Sequence, residues 1–427
     1  MKPLLGRLVA AVTVGAVVGV GATAPAVADG PALLAQDRCA TSDPTPTGQL
    51  SNAWQLQRLD TEQLWKLSTG KGIRIAVIDT GVSTIGSLYF DDNRVTARDM
   101  IPEADNPGGD FLDCEHGTIV TSLIAAGRNA DGESLNPATS FAGIAPDAEI
   151  LAYRTLKASN ADAGSQSEEN LQYTIDAVRE ATREGVDIIN LSQVTFRDPL
   201  LSSFRAAVAD AIDAGIVVVA AAGNSSQGQG ETPYPAAFPG VISVGISNRA
   251  DAGDWATNPS HHITIGAPGK DLVALRPSRL TSQLTVENQA YVTDATGTSF
   301  AAPIVTGVVA LLLDYELRTR GVDLTPAEVT QRLVATADRM SAPLPDPYVG
   351  NGIVNPMRAL TDLTSGPASV PSAVQSVVPE MPTNEPRRIP AVSMVALGVG
   401  IGAVGAVILG LVAAIAIPAS RRRPGRR

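Results

Sequence analysis

One serine, three histidines and an aspartate at the end of an apolar run are the residues of this chain best suited to acyl transfer. Ser299 stands in TGTSFAAPIVTG (residues 296–307), a run of small residues just ahead of a long apolar helix pattern. Helix capping and close packing would also explain a serine there. As a nucleophile it needs a base to take its proton, and histidine is the usual base near neutral pH. The chain offers His116, His261 and His262. His261 and His262 lie in NPSHHITIGAP, a polar turn leading into a strand, where exposed or structural imidazoles are expected. His116 instead opens an apolar helix in CEHGTIVTSLIAA (residues 114–126), with Gly117 allowing close backbone approach.

A carboxylate is then required to fix the imidazole tautomer and stabilise its cation. Asp79 ends the apolar run AVIDTGV, where a lone carboxylate is costly to bury unless paired. Attack on a carbonyl builds negative charge on oxygen, which needs fixed donors. Asn224, after AAAG, can supply a side-chain N–H, and the Ser299 backbone N–H, at the positive end of its helix, a second. The α/β-hydrolase elbow is excluded, because that fold places its histidine last and none follows Ser299 here.

These groups need a scaffold. Residues 73–79, 149–156, 186–192, 216–224 and 241–247 are short apolar runs of the kind buried on both faces of a sheet. Helical patterns lie between them: Leu171, Ile175, Val178 and Thr182 recur at helical spacing in residues 168–184, and residues 200–214 repeat the idea. The alternation predicts an α/β fold, a parallel sheet with helices on both faces, whose strand ends share one crevice. TPAE (residues 325–328) is a capping box opening a helix to about Asp338. The polar stretches 127–140 and 159–169 are expected to be surface loops, and Asp91 with Asp92 a solvated turn rather than a metal site.

The chain has 427 residues and a net charge of −11, which argues against nucleic acid as a partner of the main body. Both ends carry membrane signals. Lys2 and Arg7 flank an apolar run to about Gly21, and Ala26-Val27-Ala28 fits a cleavage site before Asp29. Residues 391–417 hold no charge, exceed the roughly 20 residues needed to cross a bilayer, and precede RRRPGRR, an arginine cluster expected to stay cytoplasmic. The expected organisation is a signal peptide (1–28), an N-terminal extension (29–70), a catalytic domain (71–363), a Pro-rich linker (364–390), a transmembrane helix (391–417) and a basic cytoplasmic tail (418–427). The catalytic domain would then be extracytoplasmic. An exported pair of cysteines, Cys39 and Cys114, reads as a disulfide, with two free thiols as the competing reading.

Asp79 in VIDTGV, His116 in HGT, Asn224 in AAAGN and Ser299 in GTSFAAPIVTG resemble, in this chain order, the subtilisin-like serine proteases. YPAAFPGVISVG (residues 234–245) and GNGIVN (residues 350–355) are similar to that family too, and the likeness covers about residues 59–360. It implies a subtilisin-like fold and a serine endopeptidase working through an acyl-enzyme, with Asp79, His116 and Ser299 catalytic and Asn224 in the oxyanion hole. It also implies a substrate-binding edge at Ser192, Gln193, Ala222 and Gly223, although LSQVTF (residues 191–196) stands where subtilisins often carry a glycine-rich edge. No cofactor is expected: calcium often stabilises the family, but no cluster of oxygen ligands is visible here.

The layout from end to end is similar to the mycosins, membrane-anchored subtilases of type VII secretion systems. That likeness implies exported protein substrates, an extension wrapped around the protease domain, and association with the secretion membrane complex. The protein would then cleave substrates or serve mainly as a structural subunit of that complex. Only about 40 residues separate Ala28 from Ile73, too few for a packed inhibitory domain, so no autocatalytic removal of one is expected.

Overall fold

The computed structural model describes residues 32–33 and 39–362, apart from 92, 103–113, 158–167, 198, 228–229, 282, 284 and 341–342. The expected signal peptide, linker, transmembrane helix and tail lie outside the described residues, as does most of the 159–169 loop.

The sheet is built from β1 (Ala32–Leu33), β2 (Arg74–Asp79), β3 (Val95–Asp99), β4 (Glu149–Arg154), β5 (Ile188–Leu191), β6 (Val217–Ala221), β7 (Ile242–Ser247) and β8 (Ile265–Pro268). Its order is β1-β3-β4-β2-β5-β6-β7-β8, with β1 antiparallel on β3 and the other seven strands parallel. The parallel part of the sheet begins at β2, near its middle, and the strands that follow lie to either side, so a crevice opens at the carboxyl ends of the central strands.

Strand residues alternate between two apolar layers, which explains the unbroken apolar runs. Ile75, Val77, Ile188, Val217 and Val219 join a core that also contains Leu123, Ile124, Val305 and Val308. Ala76, Ile78, Ile189, Val218 and Ala220 join the opposite core with Ile175, Val178, Phe204 and Val208. The helices covering the first face are α3 (Glu115–Ala125) and α6 (Thr298–Arg320); those covering the second are α4 (Glu168–Glu184) and α5 (Leu201–Asp213). Truncating one of these buried leucines or isoleucines to alanine costs about 2–5 kcal/mol.

Among the described residues α6 alone is long and apolar enough to cross a membrane, but 83% of its apolar window is buried inside the protein. It is the core helix that carries Ser299. It stops at Gly321, whose φ of 63° is left-handed. The Thr325 capping box forms as expected and opens α7 (Pro326–Thr336), and α8 (Pro356–Thr361) closes the described chain.

The segment before β2 is less separate than its mixed composition suggests. Two short helices, α1 (Trp54–Leu59) and α2 (Thr61–Leu64), place Trp54, Leu56, Leu59 and Leu64 in the first core. Further back, Ser42 and Thr45 bond to the backbone of Pro277, Gln289 and Tyr291, along the hairpin of β9 (Leu272–Leu275) and β10 (Tyr291–Ala295). Cys39 and Cys114 form a disulfide with Cα atoms 5.6 Å apart.

Candidate active site

Asp79 is the last residue of β2, 1% exposed, where the strand must turn at the crevice. Its Oδ1 accepts from the Thr80 backbone N–H at 2.7 Å and lies 2.8 Å from His116 Nδ1. A carboxylate can only accept, so the network assigns the imidazole proton to Nδ1 and makes Nε2 the acceptor nitrogen of the ring. A second tie runs from the Thr80 hydroxyl, which accepts from the Gly117 N–H at 3.0 Å. That bond docks the first turn of α3 against the end of β2. Gly117 is required at this crossing: a Cβ there would stand 2.0 Å from the Gly81 carbonyl oxygen.

Ser299 is the second residue of α6, partly exposed, with Gly297 at the N-cap. Its backbone N–H falls in the first turn, where helical N–H groups have no partner within the helix. The Phe300 ring beside it lies 5.2 Å from the His116 ring, centroid to centroid, which brings the turn bearing Ser299 against α3. Pro303, four residues on, has no N–H to give the Ser299 carbonyl. The Ser192 hydroxyl donates to that carbonyl instead, at 2.8 Å, and is backed by Asn190 Nδ2 at 2.9 Å. Asn190 is anchored in turn by the Thr306 hydroxyl, 2.8 Å from its Oδ1.

Asn224 closes the segment after β6. Its Oδ1 accepts from the Thr298 N–H at 2.9 Å and sits 3.1 Å from the Thr298 hydroxyl, which itself accepts from Gly223 N–H at 3.1 Å. With the oxygen committed, Nδ2 is the end that remains to donate. A Cβ built on Gly297 would meet Ser299 Oγ at 3.2 Å and Asn224 Nδ2 at 3.6 Å, so both atoms border one small space.

The structure thus brings Asp79 to His116, and Asn224 to Ser299. Of the expected substrate edge, Ser192 is spent on the Ser299 carbonyl, and Gln193, largely buried, lies against Thr174. Ala222 is buried, and Gly223 holds a left-handed φ of 92°. The His261 and His262 rings lie 4.1 Å apart, tilted by 41°, on a loop tied by the Ser260 N–H to the Pro347 carbonyl. Among the described residues no group of His, Cys, Asp and Glu could hold a metal ion. Sequence reasoning passed over Thr80 and Thr298, although both sit inside the quoted motifs directly beside Asp79 and Ser299. A hydroxyl next to each chemical residue was the available signal.

Residues 70–352 match the Subtilase family, Peptidase_S8. Mycosin-1 of Mycobacterium tuberculosis is 31% identical over 430 residues, covering 90% of this chain and 92% of that protein. The MycP3 protease from the type VII (ESX-3) secretion system superposes with a TM-score of 0.59 at 28% identity, over 78% of this chain and 94% of that one. A chain of an intact ESX-5 inner membrane complex gives 0.59 at 26% identity, over 88% of this chain and 94% of its own length. The chain is therefore a serine peptidase of the subtilase family and stands with the mycosins within it.

Proposed function

We propose that this protein is a membrane-anchored serine endopeptidase that cleaves exported proteins beside a type VII secretion membrane complex. Ser299 Oγ attacks the scissile carbonyl while His116 Nε2 takes its proton. Asp79 holds Nδ1–H and stabilises the imidazolium. Asn224 Nδ2 and the Ser299 N–H receive the oxyanion, and His116 returns the proton to the leaving amine. Water then attacks the acyl-enzyme by the same relay, and no cofactor enters. The segments Ser192–Gln193 and Ala222–Gly223 flank the bound peptide. Residues 1–28 direct export, the extension from Cys39 to Gly70 lies on the domain, and 391–417 hold it to the membrane after the 364–390 linker.

The observation that carries this reading is the 2.8 Å contact of His116 Nδ1 with Asp79, on the helix whose His116 ring packs against Phe300. Ser299→Ala in the purified protein should abolish both peptide cleavage and labelling by a fluorophosphonate. Labelling that survives the substitution would remove Ser299 from the role.

A second reading, a mainly structural subunit of the membrane complex, is favoured by the similar chain within the ESX-5 inner membrane complex. It expects the complex to assemble with Ser299→Ala and to fail when the protein is deleted. Equal failure in both strains would count against it.

A further inference from the structure

The grip of α1 on two loops behind the crevice is not accounted for by the catalytic groups themselves. Trp54 Nε1 donates to the carbonyls of Lys270 and Asp271, at 3.2 and 3.0 Å. The adjoining Gly269 carbonyl accepts the Gly297 N–H at 2.9 Å, and Asp271 N–H donates to Thr296 Oγ1 at 3.0 Å. Both bonds end on the turn that presents Ser299.

One helical turn later, Arg58 forms an ion pair with Asp251 and reaches Asp338 at 2.9 Å. Asp251 belongs to the loop after β7, whose return half pairs with the oxyanion segment. Ser225 N–H donates to Ala256 at 2.8 Å, and Asn258 N–H to Gly223 at 2.8 Å. Arg249, on the same loop, lies 5.2 Å over the Trp54 ring.

Of the three aspartates that α1 touches, Asp251 (φ 54°) and Asp271 (φ 51°) hold left-handed backbone. Such conformations persist in non-glycine residues only where the surroundings enforce them. We infer that Trp54 and Arg58 are positioning residues: α1 braces the Ser299 turn through Lys270–Asp271 and the Asn224 segment through Asp251.

The test compares Trp54→Phe and Arg58→Ala with Thr325→Ala in the purified full-length protein. The last variant loses the α7 cap and so loses stability without touching the brace. Amide hydrogen exchange is read on peptides covering 222–226 and 296–300, beside the rate of fluorophosphonate inactivation. Trp54→Phe should raise exchange several-fold mainly at 296–300, and Arg58→Ala mainly at 222–226. Both should slow inactivation about tenfold, because small misplacements of reacting groups are costly. KM for a peptide substrate should stay within about twofold, and Arg58→Lys should recover part of the loss. Thr325→Ala should lower Tm and move none of these.

Unchanged exchange at both peptides in folded Trp54→Phe or Arg58→Ala protein would overturn the brace, as would the same exchange pattern in Thr325→Ala. The inactivation arm rests on Ser299 as nucleophile. A wild-type protein inert to fluorophosphonate, whose exchange still responds to the α1 variants, would discard the proposed function and keep the brace.

Discussion

The Ser192 hydroxyl donates to the carbonyl of Ser299, at the one place in the first turns of α6 where Pro303 leaves a carbonyl without its helical partner. Ser192→Ala strands that acceptor in a largely buried site, at a cost of about 1–3 kcal/mol. Denaturant unfolding should show a loss of that size together with slower fluorophosphonate inactivation. If neither changes, the contact has no bearing on how Ser299 is held.

Asn224→Asp keeps the shape of the side chain and removes its N–H donor. In a subtilisin, losing one oxyanion-hole donor lowers kcat by about 10²–10³, and a fall of that size is expected here if Asn224 has the role proposed for it. Steady-state kinetics should show the fall in kcat with KM little altered. A matching rise in KM alone would assign Asn224 to substrate binding instead.

Gly117→Ala is expected to be among the most damaging single-methyl changes. The new Cβ would sit 2.0 Å from the Gly81 carbonyl, so α3 must move by more than an ångström and His116 with it. Activity should drop by about 10² or more, accompanied by a clear fall in Tm. Retention of near wild-type kcat would show that the crossing of α3 over the 79–82 turn is looser than described.

The Cys39–Cys114 bond closes a loop with a sequence separation of 75. In the chain-entropy account such a loop stabilises by about 4 kcal/mol. Cys39→Ser should therefore lower Tm by several degrees, and intact mass should rise by two hydrogens when the wild type is reduced. A mature protein whose mass ignores reductant would mean two free thiols.

His262 is held below the ordinary imidazole value by burial and then by the neighbouring His261. With a depressed folded pKa, the unfolded chain binds the extra proton first as pH falls. The contribution is thus fully present above the unfolded value of 6.5 and disappears as pH drops through the lower folded value. Thermal unfolding followed over about pH 7.5 to 5.5 should show stability falling, less steeply in His262→Gln. An identical slope in the variant would assign the pH dependence to other groups.

Much of this was legible in the chain itself, for identifiable reasons. The α4 boundaries follow from the Leu171, Ile175, Val178 stripe and match the expected span, 168–184. The β2 and β6 runs announced themselves because both faces are buried, leaving no polar alternation to blur them. β3 did not, since VTARD puts Arg98 and Asp99 in a strand near the sheet edge, where Arg98 pairs with Glu184. α1 was hidden by its length: six residues show no helical period. Contacts such as Ser192 with Ser299 depend on Pro303, far along the chain, and no local pattern could announce them.

α6 lies against β5, β6, β7 and β8 and fills the larger core as it presents Ser299 at its tip. The same helix therefore completes the hydrophobic interior and carries Ser299 at its tip. A nascent or truncated chain that ends before residue 298 lacks both at once, so, with Ser299 in the role proposed for it, a half-made copy has no means of cutting. On that reading, the means to cut arrives no earlier than the helix that fills the larger core, and its timing is written into the order in which the polypeptide is made.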